Sequence, residues 1–211
     1  MTSQDAAPKV RKRDPQGTRK RILDAAFQEF SDHGPAGARV DRIVRAAGVN
    51  PRMLYHYFGS KAGLFRELLA AKTEEMAQRR REAAGSLAES VADVAYRQFE
   101  DRKWARLLMW EALAYGEGDI VLERERAAAW QPAVEGLRRM REAGALPASL
   151  DPAQLQLSLI ALATFPVAFP QTAKMVTGMD PLSEEFAAAR REAVFALVEA
   201  LQGAAPGANA R

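Results

Sequence analysis

Cysteine is absent from this chain of 211 residues, and histidine occurs only at two separate positions, His33 and His56. The lack of thiols excludes disulfides, thiolate zinc sites and a cysteine nucleophile. Two histidines are too few to favour a histidine-based metal site, and His56 has no further ligand close to it in the sequence. A phosphate-cradling glycine motif and a recognisable catalytic triad are missing as well. We therefore expect no cofactor, no metal and no enzymatic activity.

Long apolar runs are missing too. None reaches the roughly 18 residues of a membrane span, and the polar, basic N-terminal segment has no apolar stretch of the signal-peptide type. Hydrophobic residues make up 48% and charged residues 27% of the chain, which is the profile of a soluble globular protein. These features predict a cytoplasmic location without membrane contact.

No stretch alternates convincingly as a β-strand, whereas apolar residues recur at helical spacing. In the first helix, Ile22, Ala26 and Phe30 share one face, with Thr18 as the expected N-cap and Gly34-Pro35 as the stop. We predict an all-α fold of about nine helices. They span residues 18 to about 33, 40–47, 51–58, 61–84, 87–102, 103–115, 120–143, 152–176 and 183–202.

Charge is unevenly distributed along the chain. The net charge is only +3, but residues 1–61 contain 12 basic and 6 acidic side chains, which leaves 18 basic and 21 acidic ones for the remainder. A basic front on a slightly acidic body indicates contact with a polyanion, and the alternative is an ordinary solvated surface. Residues 1–16 lack hydrophobic periodicity and are predicted to form a disordered basic arm.

The stretch from Arg39 to Lys61, RVDRIVRAAGVNPRMLYHYFGSK, carries the functional signal. A short helix, a tight turn at Gly48-Val49-Asn50 and a second short helix make a helix-turn-helix. Asn50 is a good N-cap, and Pro51 suits a first helical turn. The second helix offers arginine and aromatic hydroxyls on its outer surface. Such a helix suits a major groove, where arginine pairs with guanine.

Three phrases, RILDAAFQEFSDHG, IVRAAGV and LYHYFGSKAGLF, occur in this order between Thr18 and about Leu69. They resemble the TetR family of bacterial transcriptional regulators. The resemblance implies an N-terminal three-helix DNA-binding domain followed by a helical ligand-binding and dimerisation domain. The predicted organisation is the basic arm at 1–16, the helix-turn-helix domain at 17–63, the body at 64–203 and a flexible tail at 204–211.

The resemblance also implies roles for individual side chains. Those expected at backbone phosphates are Asn50, Tyr55, Tyr57 and Lys61, with half-buried packing as the alternative for the two tyrosines. Arg52 and Met53 occupy positions that commonly face bases, and Arg52 is the expected main reader. We assign His56 a phosphate or surface role. The full predicted DNA-binding set is Arg39, Arg42, Arg45, Asn50, Pro51, Arg52, Met53, Tyr55, His56, Tyr57 and Lys61.

The chain departs from the family pattern at two places. Ala38-Arg39 stands where the family usually has a serine or threonine N-cap, so the second helix loses a side-chain acceptor worth about 1 kcal/mol. Arg39 itself remains a phosphate ligand in this interpretation. Asp41-Arg42 reverses the usual order of arginine before an acidic residue. We therefore expect Arg42 or Arg45 to take over the base contact.

Large apolar side chains in the body predict a small-molecule pocket. The predicted lining is Trp104, Met109, Trp110, Glu111, Trp130, Met140, Phe165 and Phe169. Glu111 is the candidate polar anchor, with a surface carboxylate as the alternative, and each apolar residue has plain core packing as its alternative. The implied ligand is small and hydrophobic or amphipathic.

Residues 154–172 are almost free of charge and contain Pro166 and Pro170, which we expect to kink the helix. This stretch and residues 183–201 match the places where the family forms a four-helix dimer interface. A homodimer through the last two helices is therefore predicted, although a buried monomer core has a similar pattern. The expected function is a repressor released from a palindromic operator by its ligand. An activator, or a DNA-binding dimer without a ligand, is the alternative.

Overall fold

The computed structural model describes residues 14–116, 118 and 120–204, and this part of the chain contains ten α-helices and no strand. The helices are α1 (Pro15–Gly37), α2 (Val40–Ala47), α3 (Pro51–Phe58), α4 (Lys61–Glu82), α5 (Leu87–Glu100), α6 (Lys103–Tyr115), α7 (Glu123–Glu142), α8 (Pro152–Ala168), α9 (Pro170–Thr177) and α10 (Glu184–Gly203). The predicted all-α fold is confirmed. Residues 1–13 of the predicted arm and 205–211 of the predicted tail lie outside the described residues.

Helix α1 begins earlier than the sequence predicted. Asp14 is its N-cap, because Asp14 Oδ1 accepts a hydrogen bond from the Gly17 N–H at 2.9 Å and Pro15 takes the first helical position. The prediction of Thr18 as the cap was wrong. Thr18 lies in the first turn, and its hydroxyl donates to the Asp14 carbonyl. Gly34 interrupts the helix with φ of 68°, after which it continues to Gly37.

Helices α1 to α4 enclose the first hydrophobic core. Its completely buried members from these helices are Ile22, Ala26, Phe30, Ile43, Leu54, Leu64 and Leu69. The rings of Phe30 and Phe65 pack edge to face with their centroids 5.0 Å apart. Leu107 of α6 joins this core, so the N-terminal helices pack directly against the body.

Helices α5, α7, α8 and α10 surround a second core. Its most deeply buried members are Ala88, Ala92, Leu137, Leu146, Leu159, Ala163, Val194 and Val198. Small residues on α5 let α10 approach closely, and an ion pair between Arg191 and Asp93 at 2.8 Å joins the two helices at the surface. This core connects α8 and α10 through α5, against which both helices pack.

The region predicted as one kinked helix over 152–176 is two helices. Helix α8 ends at Ala168, and α9 starts at Pro170 with a bend of 91° between them. Pro170 has no N–H and disfavours helical backbone at the residue before it, and Phe169 accordingly has φ of −127° and ψ of 65°. Pro166, the other predicted kink, lies inside α8.

No single helix in the described part of the chain is long and apolar enough to cross a membrane, and only the bent pair α8–α9, taken together, passes that length and composition test.

Candidate nucleic-acid interface

Helices α2 and α3 meet at a turn that requires glycine. Gly48 adopts the left-handed conformation, with φ of 63° and ψ of 41°, and its N–H donates to the Arg45 carbonyl. A side chain is strained in this conformation, whereas glycine adopts it freely. The Val49 N–H closes the turn on the Val44 carbonyl at 3.0 Å. Ile43 and Leu54 are completely buried on either side, so the angle between α2 and α3 is fixed by packing.

Helix α3 turns one face to solvent. The Asn50 side chain accepts a hydrogen bond from the Arg52 N–H at 2.9 Å and so caps the helix, as predicted. Because the amide oxygen is used in this way, the Asn50 amide nitrogen is the group left for a phosphate. Arg52, Tyr55 and His56 are exposed, as is Pro51, and half of the Tyr55 surface is accessible.

Met53 and Tyr57 are only partly exposed. Tyr57 packs against the first core, and its ring lies 5.4 Å from that of His56 and 6.1 Å from that of Phe58. The Tyr57 ring is packed while part of the side chain remains accessible, so a phosphate contact by Tyr57 stays a prediction.

Glu29 of α1 organises the start of α2. Its Oε1 accepts a hydrogen bond from the Arg39 N–H at 2.9 Å and another from Arg42 Nε at 2.8 Å, and Oε2 accepts from Arg42 Nε at 3.0 Å. Arg39 has no side-chain cap bond, as predicted. The carboxylate therefore reaches the N-terminal end of α2 from a neighbouring helix and places negative charge where the helix dipole favours it.

The charges around Glu29 determine its protonation. Burial alone would raise the pKa of the Glu29 carboxyl, which is 8% exposed. The hydrogen bonds from Arg42 and from the Arg39 N–H, with the charges of Arg42 and His33, instead lower this pKa below its ordinary value. Arg42 also donates to the Gly37 carbonyl. Its guanidinium is thus committed to Glu29 and Gly37, which leaves Arg45, exposed in the last turn of α2, as the freer of the two arginines.

Lys61 joins α4 to the end of α1. Its Nζ donates to the carbonyls of Ala36 and Ala38 at 3.3 and 3.1 Å. An ammonium group has three donors, so one remains for a phosphate at this edge. Lys61 is thus a structural tie, and its third donor is compatible with the phosphate contact that the sequence suggested.

Two side chains that position this surface were not predicted from the sequence. Glu29 falls on the inward face of α1, next to the buried Phe30, and a lone carboxylate on that face was the available signal. Arg21 donates to the Ala47 carbonyl at 3.3 Å and to the Thr18 hydroxyl at 3.2 Å, and it gave no comparable signal. Both side chains connect α1 to the helix-turn-helix. These contacts join residues that are distant in the sequence, so local sequence patterns do not reveal them.

Comparisons with known proteins agree with this geometry. A family model described as bacterial regulatory proteins of the tetR family matches residues 22–68, and one described as a Tetracyclin repressor-like C-terminal domain matches residues 85–199. The second match alone covers more than half of the chain. The chain belongs to the TetR family. Membership in this family confirms the prediction that the chain is a DNA-binding transcriptional regulator and not an enzyme.

Individual TetR proteins resemble the chain over most of its length. The HTH-type transcriptional repressor SCO4008 of Streptomyces coelicolor is 31% identical over 166 residues, which is 79% of this chain and 86% of that protein. Among solved structures, SCO4942 of the same species has a TM-score of 0.70 at 27% identity and covers 87% of this chain and 97% of its own. FadR of Bacillus subtilis, determined in complex with stearoyl-CoA, shares the fold with a TM-score of 0.62 at 18% identity, covering 85% and 96%.

The predicted ligand-pocket residues are spread over several places in the TetR fold. Trp104 packs against the first core, and Met140 packs against the second. Trp110 lies on Gly34, at the interruption of α1. Trp130 stacks under the Arg80 guanidinium, 4.1 Å from its ring centroid. Met109 is partly buried on α6.

Glu111, the candidate polar anchor, is already paired. It forms two hydrogen bonds with the Arg126 guanidinium at 2.5 and 2.9 Å, and both side chains are largely buried. The pair joins α6 to α7, which is a structural role different from both alternatives considered from the sequence.

Phe165 and Phe169 remain from the predicted set. Their ring centroids are 5.1 Å apart, and both side chains are about half exposed. Phe165 lines a groove of about 430 Å³ between α8, α9 and α10. The structure therefore brings one of the eight predicted residues to this groove, and most of its walls come from side chains that were not predicted from the sequence.

Proposed function

We propose that this regulator binds a palindromic operator as a homodimer, with α3 of each copy in the major groove, and leaves it when a small molecule binds the body. The observation that carries the proposal is the exposed face of α3, where Arg52, Tyr55 and His56 project from a helix that is fixed on its other side by Leu54 and Phe58. A rigid helix with a polar outer face meets the geometric need of major-groove recognition.

The DNA contacts divide into two classes in this proposal. Arg52, Met53 and Arg45 read bases, because they lie on the open faces of α3 and α2. Arg42 takes a positioning role through Glu29. Phosphate contacts set the register of the protein on DNA, and base contacts supply its specificity. The side chains that hold the flanking phosphates are Arg39, Asn50, Tyr55, His56, Tyr57 and Lys61, and Pro51 lies among them at the start of α3.

Dimerisation is proposed through the outer faces of α8 and α10. Leu157 on α8 is 60% exposed and Leu197 on α10 is 53% exposed, while other side chains of both helices fill the second core. Exposed leucines on two adjacent helices of one monomer favour a contact that buries them. A two-fold axis through this patch builds a four-helix interface from identical surfaces.

Ligand control is proposed for the body, which adjoins the DNA-binding helices through α1, α4, α6 and α7. FadR of Bacillus subtilis, which shares this fold, has been determined in complex with stearoyl-CoA, and this example supports a ligand for the present chain. In the proposal, the ligand shifts the dimer toward a spacing of the two α3 helices that no longer fits the operator. That shift is limited by the difference in ligand affinity between the two states.

The test is fluorescence anisotropy with DNA from the chain's own upstream region. We expect tight binding of one site by a dimer, weakened at least tenfold when the site's two half-sites are moved apart by half a helical turn. A matched random duplex at the same salt concentration is the control, because phosphate contacts alone bind any sequence. Equal affinity for the two duplexes would overturn the operator proposal.

Transcription from the same upstream region separates repression from activation. A reporter that rises when the chain is deleted indicates a repressor, and one that falls indicates an activator. A dimer that binds its operator equally well in the presence of every candidate ligand tested would favour the unliganded alternative.

A further inference from the structure

The bend between α8 and α9 creates an apolar groove. Pro170 turns the chain by 91°, so that α9 folds back beside α10 and leaves a space of about 430 Å³ between α8, α9 and α10. Ligand sites in proteins have volumes of roughly 300 to 1,000 Å³. The walls include Phe165, Val176, Met179 and Phe186, all of which are apolar.

A single charged side chain, Arg190 of α10, interrupts these apolar walls. Its Nη2 donates to the Leu162 carbonyl at 2.7 Å. That carbonyl lacks its usual partner within α8, because Pro166, four residues later, has no N–H. The guanidinium is thereby anchored at the carbonyl that Pro166 leaves without a helical partner.

One nitrogen of the Arg190 guanidinium is not satisfied. Its Nε is buried and has no hydrogen-bond partner in the described part of the chain, and no carboxylate there lies within ion-pair distance of the group. Burial lowers the pKa of Arg190, although the group stays charged at neutral pH. A half-buried cation without a counterion is costly, and an anion beside it removes much of that cost.

We propose that this groove binds an amphipathic anion, with its carboxylate or phosphate group on Arg190 and its apolar chain along Phe165, Val176 and Phe186. The site refines the proposed function, on which it rests, because it names the ligand class and places the ligand beside the proposed dimer helices. Arginine suits this role because its planar donors match the two oxygens of such groups. The apolar walls supply the hydrophobic part of the affinity.

The test is titration calorimetry on the full-length chain with three probes of equal chain length, namely decanoate and decyl phosphate below their micelle concentrations and decanol below its solubility limit. We expect one or both anions to bind at least tenfold more tightly than decanol. Arg190→Gln keeps a donor for the Leu162 carbonyl and removes the charge. It should lower anion affinity about tenfold and leave decanol binding unchanged.

Two further variants make the result specific. Arg191→Gln removes the same charge one residue away, outside the groove, and should change no affinity more than twofold. Thr172→Phe fills the groove from α9, away from the proposed dimer faces of α8 and α10, and should abolish binding of all three probes. Circular dichroism and light scattering show that each variant is folded and keeps its oligomeric state.

Other outcomes would overturn the site. Equal binding of decanol and the anions would show that Arg190 does not hold the charged group of the ligand. Equal effects of Arg190→Gln and Arg191→Gln would show that the anion does not bind in the groove. Failure of the dimer to bind any of the three probes refutes the site. Operator binding without probe binding refutes this site alone, whereas Arg190-dependent probe binding without operator preference refutes the operator proposal and leaves the site standing.

Discussion

Glu29 shows how a single residue stabilises the DNA-binding unit. It is buried on α1, accepts from the backbone of Arg39 and pairs with Arg42 on α2. A buried carboxylate is tolerated only when such partners replace its water. The missing serine or threonine cap at Arg39 was evident from the sequence but this compensation was not, because the acceptor lies ten residues away on another helix.

Glu29→Gln should destabilise the chain by roughly 1 to 3 kcal/mol, because the Arg42 guanidinium loses its charged partner while the shape of the side chain is kept. Urea unfolding measures the change. Glu67→Gln is the matched control, since Glu67 pairs with Arg19 at a largely exposed site and should cost at most about 1 kcal/mol. Equal losses in the two variants would show that Glu29 has no special structural role.

Because the pKa of Glu29 is lowered, the difference in stability between wild type and Glu29→Gln should depend on pH. The stabilisation is fully present above the pKa of an unfolded glutamate, about 4.3, and is lost as the pH falls through the lower pKa of the folded state. Unfolding free energies of wild type and Glu29→Gln should therefore converge on acidification from about pH 7 to about pH 3. A difference in unfolding free energy that stays constant over this pH range would contradict the lowered pKa of Glu29.

Arg52 and Lys61 separate base reading from phosphate binding. Arg52→Ala should cost about 1 to 3 kcal/mol on the operator and little on random DNA, because a base-specific pair is lost. Lys61→Ala should weaken binding to both DNAs and reduce the salt slope by about one. Because Lys61 also ties α1 to α4, thermal unfolding must accompany the anisotropy titration. Identical binding profiles would refute the division of roles.

At the scale of elements, a glycine-to-alanine substitution should change stability in opposite directions at the turn of Gly48 and in the middle of α7. An added Cβ meets nothing within 4 Å at Gly48 or at Gly136, so only backbone conformation differs. Gly48→Ala should destabilise by about 1 kcal/mol because φ is positive there, whereas Gly136→Ala should stabilise α7 by roughly 0.5 to 1 kcal/mol. Melting temperatures of the two variants check both signs, and a shift in the same direction would contradict the assignment.

Helix ends were largely predictable because their signals are local. Asn50 caps α3 as expected, and Ser60 caps α4 in the same way, each by accepting a backbone N–H of the first turn. The helix-turn-helix follows from a short sequence for the same reason. The start of α1 was missed because Asp14 lies in the segment interpreted as a basic arm, and the break at Phe169 was missed because proline at a helix start and proline at a kink look alike in sequence.

At the scale of the whole molecule, the DNA-binding helices are joined to the body by contacts that the sequence did not reveal. Trp110 of α6 lies on Gly34 of α1, where an added Cβ would come within 2.8 Å of the indole ring. Arg80 of α4 stacks on Trp130 of α7 and donates to the Ala129 carbonyl. The tryptophans were predicted to line a pocket because the sequence does not distinguish large aromatic residues in a core, in a pocket and in a contact between domains.

The proposed dimer gives the last prediction, because its interface consists of surface that is apolar and exposed in the monomer. Leu157→Arg and Leu197→Arg place charges on α8 and α10 at side chains that are more than half exposed and do not belong to the buried second core. Together they should dissociate the dimer, as measured by light scattering, and reduce operator affinity steeply because one monomer holds only one half-site.

Leu113→Arg is the control for this prediction, since Leu113 is 77% exposed on α6 and lies outside the proposed interface. It should leave both the mass and the operator affinity unchanged. If Leu113→Arg dissociates the dimer and the pair on α8 and α10 does not, the two-fold axis runs through α6. The groove at Arg190 would then be distant from the interface. A ligand bound there would have to change the spacing of the two α3 helices by some means other than the dimer contact.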